Sequence, residues 1–240
     1  FIGMVSHELK MPATSVKGLI QLIETKTTRS GDDKSARYLK VIDGQINKLT
    51  ALIDDLHDAT RIEAGVLQFH DEFFPFDDLV DEIVDAMQVT TERHTIVKEG
   101  GTRKRVYGDR NRLGQVLSNL LTNAIKYSPH SDKVIVRLTS DRKTVSCSVQ
   151  DFGIGIAKDE QSHIFERFYR EQGQKGVTVP GLGLGLYIAR GIIERYDGRI
   201  WVESEEGEGS TVSFIYPLGD DKKQHATAQA EVQPSTHERR

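Results

Sequence analysis

A stepped apolar seam constrains the first quarter of the chain more tightly than any other feature. Ile2, Val5, Leu9, Pro12, Val16, Leu19 and Ile23 advance by alternate steps of three and four, and Leu39, Ile42, Ile46, Leu49, Ile53 and Leu56 do the same. That alternation draws one stripe along an α-helix and is the mark of a coiled coil. Thr27, Thr28, Ser30, Gly31 and Asp32 supply turn chemistry between the two stripes, so a helical hairpin is expected up to about Gly65. One hairpin cannot cover a continuous seam, and pairing two into a four-helix bundle makes the expected state a homodimer. Pro12 sits on the seam without the N–H that would bond the carbonyl of Glu8, which loosens that turn. His7, two residues after Val5, faces outward.

With 240 residues the chain has room for one large or two ordinary domains. Thirty-two Lys and Arg against 36 Asp and Glu leave a net charge of -4, which offers no basic field to a nucleic acid. The single cysteine, Cys147, rules out an intrachain disulfide and a cysteine-built metal site. Its place in Val145-x-Cys147-x-Val149 makes it an inward strand residue, and a reducing, cytoplasmic setting is expected. No apolar run reaches the roughly eighteen residues that span a bilayer, so no membrane contact is expected of this stretch. Because Phe1-Ile2 opens inside a helical pattern without a cap, the chain reads as a fragment of a longer protein, which could itself be membrane-anchored. Residues 219–240 are polar and poor in large apolar groups, and disorder is expected there.

After Phe73-Phe74-Pro75-Phe76 the texture becomes α+β. Asp77 to Gln88 carries Leu79, Val80, Ile83, Val84 and Met87 on one helical face, and Asp109 caps a helix running to Tyr127. Strands are expected at 133–138, 144–149, 200–203 and 211–216, with a hairpin turn at Asp141-Arg142-Lys143. A last helix leaves the glycines around 185 and stops near Asp197-Gly198. Helices on one face of such a sheet make a two-layer α/β sandwich.

Four clusters here suggest phosphate chemistry. Asn119 and Asn123 lie four apart on one helix face with Lys126 three further on. Their carboxamide oxygens suit a Mg²⁺ ion that already carries phosphate oxygens. Asp151-Phe152-Gly153-Ile154-Gly155 follows a strand, where a carboxylate could accept from an exocyclic amine beside a flat ring. Phe165-Glu166-Arg167-Phe168 precedes a sparsely anchored stretch, 171–180, that reads as a mobile lid. Gly181-Leu182-Gly183-Leu184-Gly185 then opens a helix, and glycines before free N–H groups suit an anion.

In order, His7-Glu8-Leu9-Lys10-Met11-Pro12, Asn119-x-x-x-Asn123-Ala124-x-Lys126-Tyr127, Asp151-x-Gly153-x-Gly155, Phe165-Glu166-Arg167-Phe168 and Gly181-x-Gly183-x-Gly185 resemble the H, N, G1, F and G2 boxes of sensor histidine kinases. The resemblance covers about residues 1–218. It implies a dimerisation and histidine-phosphotransfer domain over 1–66 and a catalytic ATP-binding domain of the Bergerat type, shared with gyrase and MutL, over 67–218. His7 would accept the γ-phosphoryl group of ATP, with Glu8 orienting its ring and taking the other ring proton. Asn119 and Asn123 would hold Mg²⁺, Lys126 and Tyr127 would border the phosphates, and Asp151 would read the adenine amine. Gly153, Gly155, Gly181, Gly183 and Gly185 would shape the pocket and lid hinge, with Arg170 a phosphate contact. The partner implied is the receiver domain of a response regulator, read by Ser15, Gly18, Leu19 and Leu22. Where the family usually has Arg and then Thr or Asn after the leucine of the H box, this chain has Lys10 and Met11, and a thioether cannot position a hydrolytic water as a hydroxyl does. Weak phosphatase activity towards the regulator is therefore expected. The alternative is a dimeric signalling scaffold whose ATP site switches conformation or is idle.

Overall fold

The computed structural model describes residues 12–20, 33–170 and 181–219. His7, Glu8, Met11, Leu22, the turn near Ser30-Gly31, the expected lid at 171–180 and the tail from Asp220 lie outside the described residues. The chain divides into two compact units, residues 1–67 with 162–188 and residues 68–161 with 189–240.

The first unit contains the hairpin helices, α1 (described over 12–20) and α2 (Asp33–Glu63). Pro12 is buried in α1, as its seam position demands, whereas Ser15 and Gly18 are exposed. On α2 the seam divides. Ile42 is buried and Leu49 and Leu56 are half-buried, but Leu39, Ile46 and Ile53 remain 58%, 47% and 52% exposed, while Leu52 and Ala59, outside the expected seam, are buried. The helix closes with a paired cap in which Val66 N–H donates to the Arg61 carbonyl and Gly65 N–H to that of Ile62, both at 3.0 Å.

The second unit is built on β1 (Asp71–Pro75), α3 (Phe76–Thr90), β2 (Thr95–Gly100), β3 (Arg105–Asp109), α4 (Arg110–Tyr127), β4 (Lys133–Ser140), β5 (Thr144–Gln150), β6 (Arg199–Glu205) and β7 (Gly209–Pro217). The helix α5 (Gly185–Arg195) begins in the first unit's segment and ends in the second's. Five strands run in the order β2-β4-β5-β7-β6, parallel only between β2 and β4, while β1 and β3 form their own antiparallel pair. With α3 and α4 packed together and the sheet beneath, this is the expected two-layer α/β sandwich. Gly114 faces α3, and an added Cβ there would sit in ordinary van der Waals contact, 3.5 Å from Ile83 and Leu79. The Asp141 carboxylate closes the β4–β5 turn by accepting from Lys143 and Thr144 N–H at 2.7 Å. Cys147 is buried as expected, and burial pushes its thiol up to about 12.

Three strands escape the sequence reading, β1, β2 and β3. β2 is an edge strand in which only Ile96 is deeply buried, so alternation scarcely registers. β1 and β3 are five residues each and pair only with one another, one ending in Pro75 and the other passing through Gly108.

Candidate nucleotide site

The second unit carries the amide stripe on α4. Asp109 starts the helix by accepting from Arg112 N–H at 3.0 Å, as its N-cap role predicts. Leu113, Val116, Leu117, Leu120 and Leu121 then bury one face, and helical spacing leaves Asn119, Asn123, Lys126 and Tyr127 half-buried on the other. Lys126 Nζ lies 5.0 Å from the centroid of the Tyr127 ring, a cation–π placement at the end of the stripe.

The G1 segment, 151–155, is tied to that end of α4. Ile154 N–H donates to the Tyr127 carbonyl at 3.1 Å. At Gly153 a Cβ would run into the same carbonyl and lie 2.8 Å from Ser128 Cα. On its other side the segment meets the β6–β7 turn. Gly207 N–H donates to the Ile154 carbonyl at 2.7 Å, Asp151 N–H to that of Ser210 at 2.9 Å, and a Cβ at Gly155, whose φ is +68°, would collide with the Glu205 carbonyl. The spaces left by these glycines are thus filled by protein backbone, and they shape the pocket by letting three chain segments close together.

Asp151 is buried and its carboxylate accepts from Gly153 N–H at 2.9 Å. Burial pushes its pKa up to about 6, against the opposing pull of the backbone N–H groups of Gly153 and Ser210. A carboxylate so placed has little water to compete with a ligand amine.

In the first unit, the F and G2 boxes are joined. Phe168 adopts a φ of +64°, unusual for an aromatic residue, and its N–H donates to the Gly183 carbonyl at 3.1 Å. Gly183 (φ +68°) in turn has no room for a Cβ beside the Tyr169 carbonyl. Phe168 and Gly183, which flank 171–180 in the sequence, are thereby joined. Arg167 pairs with Glu63 at the end of α2 and places its guanidinium 4.6 Å from the Phe168 ring centroid. Arg170 is half-buried, Gly181 has a φ of +140° and Gly185 opens α5.

The described residues therefore fall into two groups: Asn119, Asn123, Lys126, Tyr127, Asp151, Gly153 and Gly155 in one unit, and Arg170, Gly181, Gly183 and Gly185 in the other. An open cavity of about 560 Å³ between residues 156–161 and 204–206 adjoins the G1 segment but is lined by none of them. Two supports went unread in the sequence. Ser204 Oγ accepts from Ile156 N–H at 2.8 Å, and His94 reaches Ser128 at the end of α4. Both join residues more than thirty positions apart, without a local pattern to mark them.

Residues 1–65 match the family described as the His Kinase A (phospho-acceptor) domain, and residues 108–220 match the histidine kinase-, DNA gyrase B- and HSP90-like ATPases. The chain is 29% identical over 227 residues to sensor histidine kinase WalK of Bacillus subtilis, covering 93% of this chain and 37% of that protein. It is 32% identical to the circadian input-output histidine kinase CikA of Thermosynechococcus vestitus, covering 92% of this chain and 31% of the relative. The histidine kinase AdeS of Acinetobacter baumannii superposes with a TM-score of 0.67 at 26% identity, covering 89% of this chain and 98% of that one. Histidine kinase ThkA, solved in complex with response regulator protein TrrA, superposes at 0.63 with 25% identity, covering 91% and 61%. With the phospho-acceptor and ATPase regions both matched and in order, the chain belongs to the sensor histidine kinases. It spans about a third of the length of the sequence relatives just named. Among the described residues no helix is long and apolar enough to cross a membrane.

Proposed function

We propose that residues 1–66 form a dimerisation and phosphotransfer domain and residues 67–218 a catalytic domain that phosphorylates His7 from ATP, the phosphoryl group then passing to an aspartate of a response regulator. The observation that carries this reading is the junction of α4 with the G1 segment. Through the Tyr127–Ile154 hydrogen bond, the buried carboxylate of Asp151 and the amide stripe of Asn119 and Asn123 share one rigid backbone frame. Asp151 accepts the adenine amine, and Lys126 balances phosphate charge. Bound Mg²⁺, held by Asn119 and Asn123, would neutralise the phosphate oxygens. By resemblance to the family, Arg170 is a phosphate contact and Gly181, Gly183 and Gly185 form the lid hinge.

A neutral ring nitrogen of His7 attacks the γ-phosphorus. The new P–N bond forms as the bond to the β-phosphate oxygen breaks, ADP leaves, and Glu8 takes the proton from the ring's other nitrogen. Asn119 stands where the related ATPases keep a water-activating glutamate, which favours transfer over hydrolysis. The exposed Leu39, Ile46 and Ile53 supply a face for a second copy of α2. Exposed Ser15 and Gly18, with half-buried Leu19, are the regulator-reading positions on α1, and ThkA bound to TrrA supports a partner of that kind. Met11 leaves phosphatase activity weak, and Met11→Thr is expected to raise it.

Incubation with labelled ATP and Mg²⁺ tests the reading. Acid-labile, base-stable label that disappears in His7→Gln is the expected result. Nucleotide binding without label would make the chain a scaffold, and absence of nucleotide binding would remove the site altogether.

A further inference from the structure

His94 lies in the α3–β2 loop and is buried, although the nucleotide reading gives it no task. Its Nε2 is 2.9 Å from the Ser128 carbonyl, which can only accept, so the network assigns the proton to Nε2. Nδ1 of the neutral ring is then an acceptor, and the Thr91 hydroxyl, 3.2 Å away, donates to it while accepting from His94 N–H. Ser128 Oγ gives its own proton to the Ala124 carbonyl, which leaves a lone pair for the same Nε2–H at 3.2 Å. Every donor meets an acceptor in one tautomer.

The loop carrying this ring is itself fixed. Gln88 on α3 donates to the His94 carbonyl at 2.9 Å and accepts from Ile96 N–H at 2.8 Å. Arg93 donates to the Pro129 carbonyl, and Thr95 N–H to that of Asp132 at 2.7 Å. The ring is thus a strut between Thr91, the C-cap of α3, and Ser128, the C-cap of α4.

Ser128 caps α4 with φ −118° and ψ 56°, so the carbonyls on either side of it aim at different partners. That of Tyr127 takes Ile154 N–H of the G1 segment, and that of Ser128 takes the His94 ring. Without the ring, the Ser128 carbonyl keeps only Ser131 N–H, at 3.2 Å, and its hydroxyl keeps the Ala124 carbonyl, so Ser128 is loosened and the peptide bearing the Tyr127 carbonyl loosens with it. We infer that His94, as the Nε2–H tautomer pinned by Thr91, is a positioning residue for the nucleotide site: it holds the C-terminal end of α4 in the orientation that joins Asp151 to the amide stripe. This rests on the ATP reading above.

The test compares parent, His94→Phe and His94→Gln as full chains. Phenylalanine keeps the ring's bulk and removes its donor, while the terminal amide of glutamine places an N–H where Nε2 was. His94→Phe is expected to weaken ATP binding and raise its KM about three- to tenfold, the scale of one lost buried hydrogen bond. Its kcat should stay within about twofold, because the ring touches no reacting atom, and His94→Gln should recover most of the affinity. Equal ATP affinity in a folded His94→Phe chain, or a fall in kcat with KM unchanged, would overturn the inference while the kinase reading stands. A parent that binds no ATP removes both. Should His94→Phe fail to fold, histidine-ring NMR on the parent decides. The spectrum should show a proton on Nε2 of His94, and a proton on Nδ1 instead would disprove the strut.

Discussion

The helices α2 and α4 carry similar apolar stripes and finish them differently. On α4 the stripe from Leu113 to Leu121 closes against its own chain, with each leucine no more than 2% exposed. On α2 every second seam position is left open, at Leu39, Ile46 and Ile53. The same periodicity thus has two outcomes, a stripe closed within one molecule on α4 and a face left open on α2, where the proposed second copy would complete it. On the dimer reading proposed above, the difference says where each helix gets its stability: α4 from packing that a single chain supplies, α2 in part from a concentration-dependent partner.

The sharpest way to break the closed helix is at its end. Gly153→Ala would drive a methyl group into the Tyr127 carbonyl and the Ser128 backbone, where no flexible side chain can give way. A loss of more than about 4 kcal/mol is expected, enough to unseat the G1 segment and abolish nucleotide binding. Thermal unfolding and nucleotide titration check it, and near-normal binding would mean that the junction is looser than described. One step down, Leu120→Ala removes a buried side chain of α4 and should cost about 2–5 kcal/mol. That loss should not depend on protein concentration. By contrast, replacing Leu39, Ile46 and Ile53 together with Asn should leave the unfolding of the sheet unit within about 0.5 kcal/mol of the parent while sedimentation shows monomers. If the triple variant stays dimeric, α2 does not complete itself with a second copy.

The two helices also mark what could be read in advance. Both stood out because a stripe over about three turns or more is a local, repeated signal, and Asp109 gave the start of α4 to the residue. The short strands β1 and β3 had no such repetition, and β2 at the sheet edge buries too little to alternate visibly. At the site, residue types and spacing pointed to Asn119, Asn123 and Asp151. The work of the glycines was legible only in part, because the groups that fill their missing Cβ positions, Tyr127 for Gly153 and Glu205 for Gly155, come from distant turns. His94 and Ser128, 34 residues apart, meet through tertiary structure alone.

The two regions also differ in how their charges respond to pH and salt. Asp151 beside α4 and Asp55 on α2 both have pKa values raised to about 6, the first by burial alone and the second by burial together with Asp58 and Asp54. A raised carboxyl pKa means that the folded state binds the proton more tightly than the unfolded one. Each group therefore costs no stability below about pH 4, and the cost grows as pH rises from 3.8 to about 6 and then levels off. For buried Asp151 the full cost is on the order of 3 kcal/mol at neutral pH. Asp151→Asn keeps an oxygen for Gly153 N–H, so it should raise the melting temperature at pH 7, leave it unchanged at pH 4 and weaken nucleotide binding. Asp55→Asn should also stabilise at pH 7. Its gain should shrink in high salt, because part of it is relief from neighbouring charges that salt screens, whereas the Asp151→Asn gain comes from desolvation and should persist. Equal salt sensitivity in the two variants would show that Asp151 is strained by charge after all, and that its pocket is wetter than its burial implies.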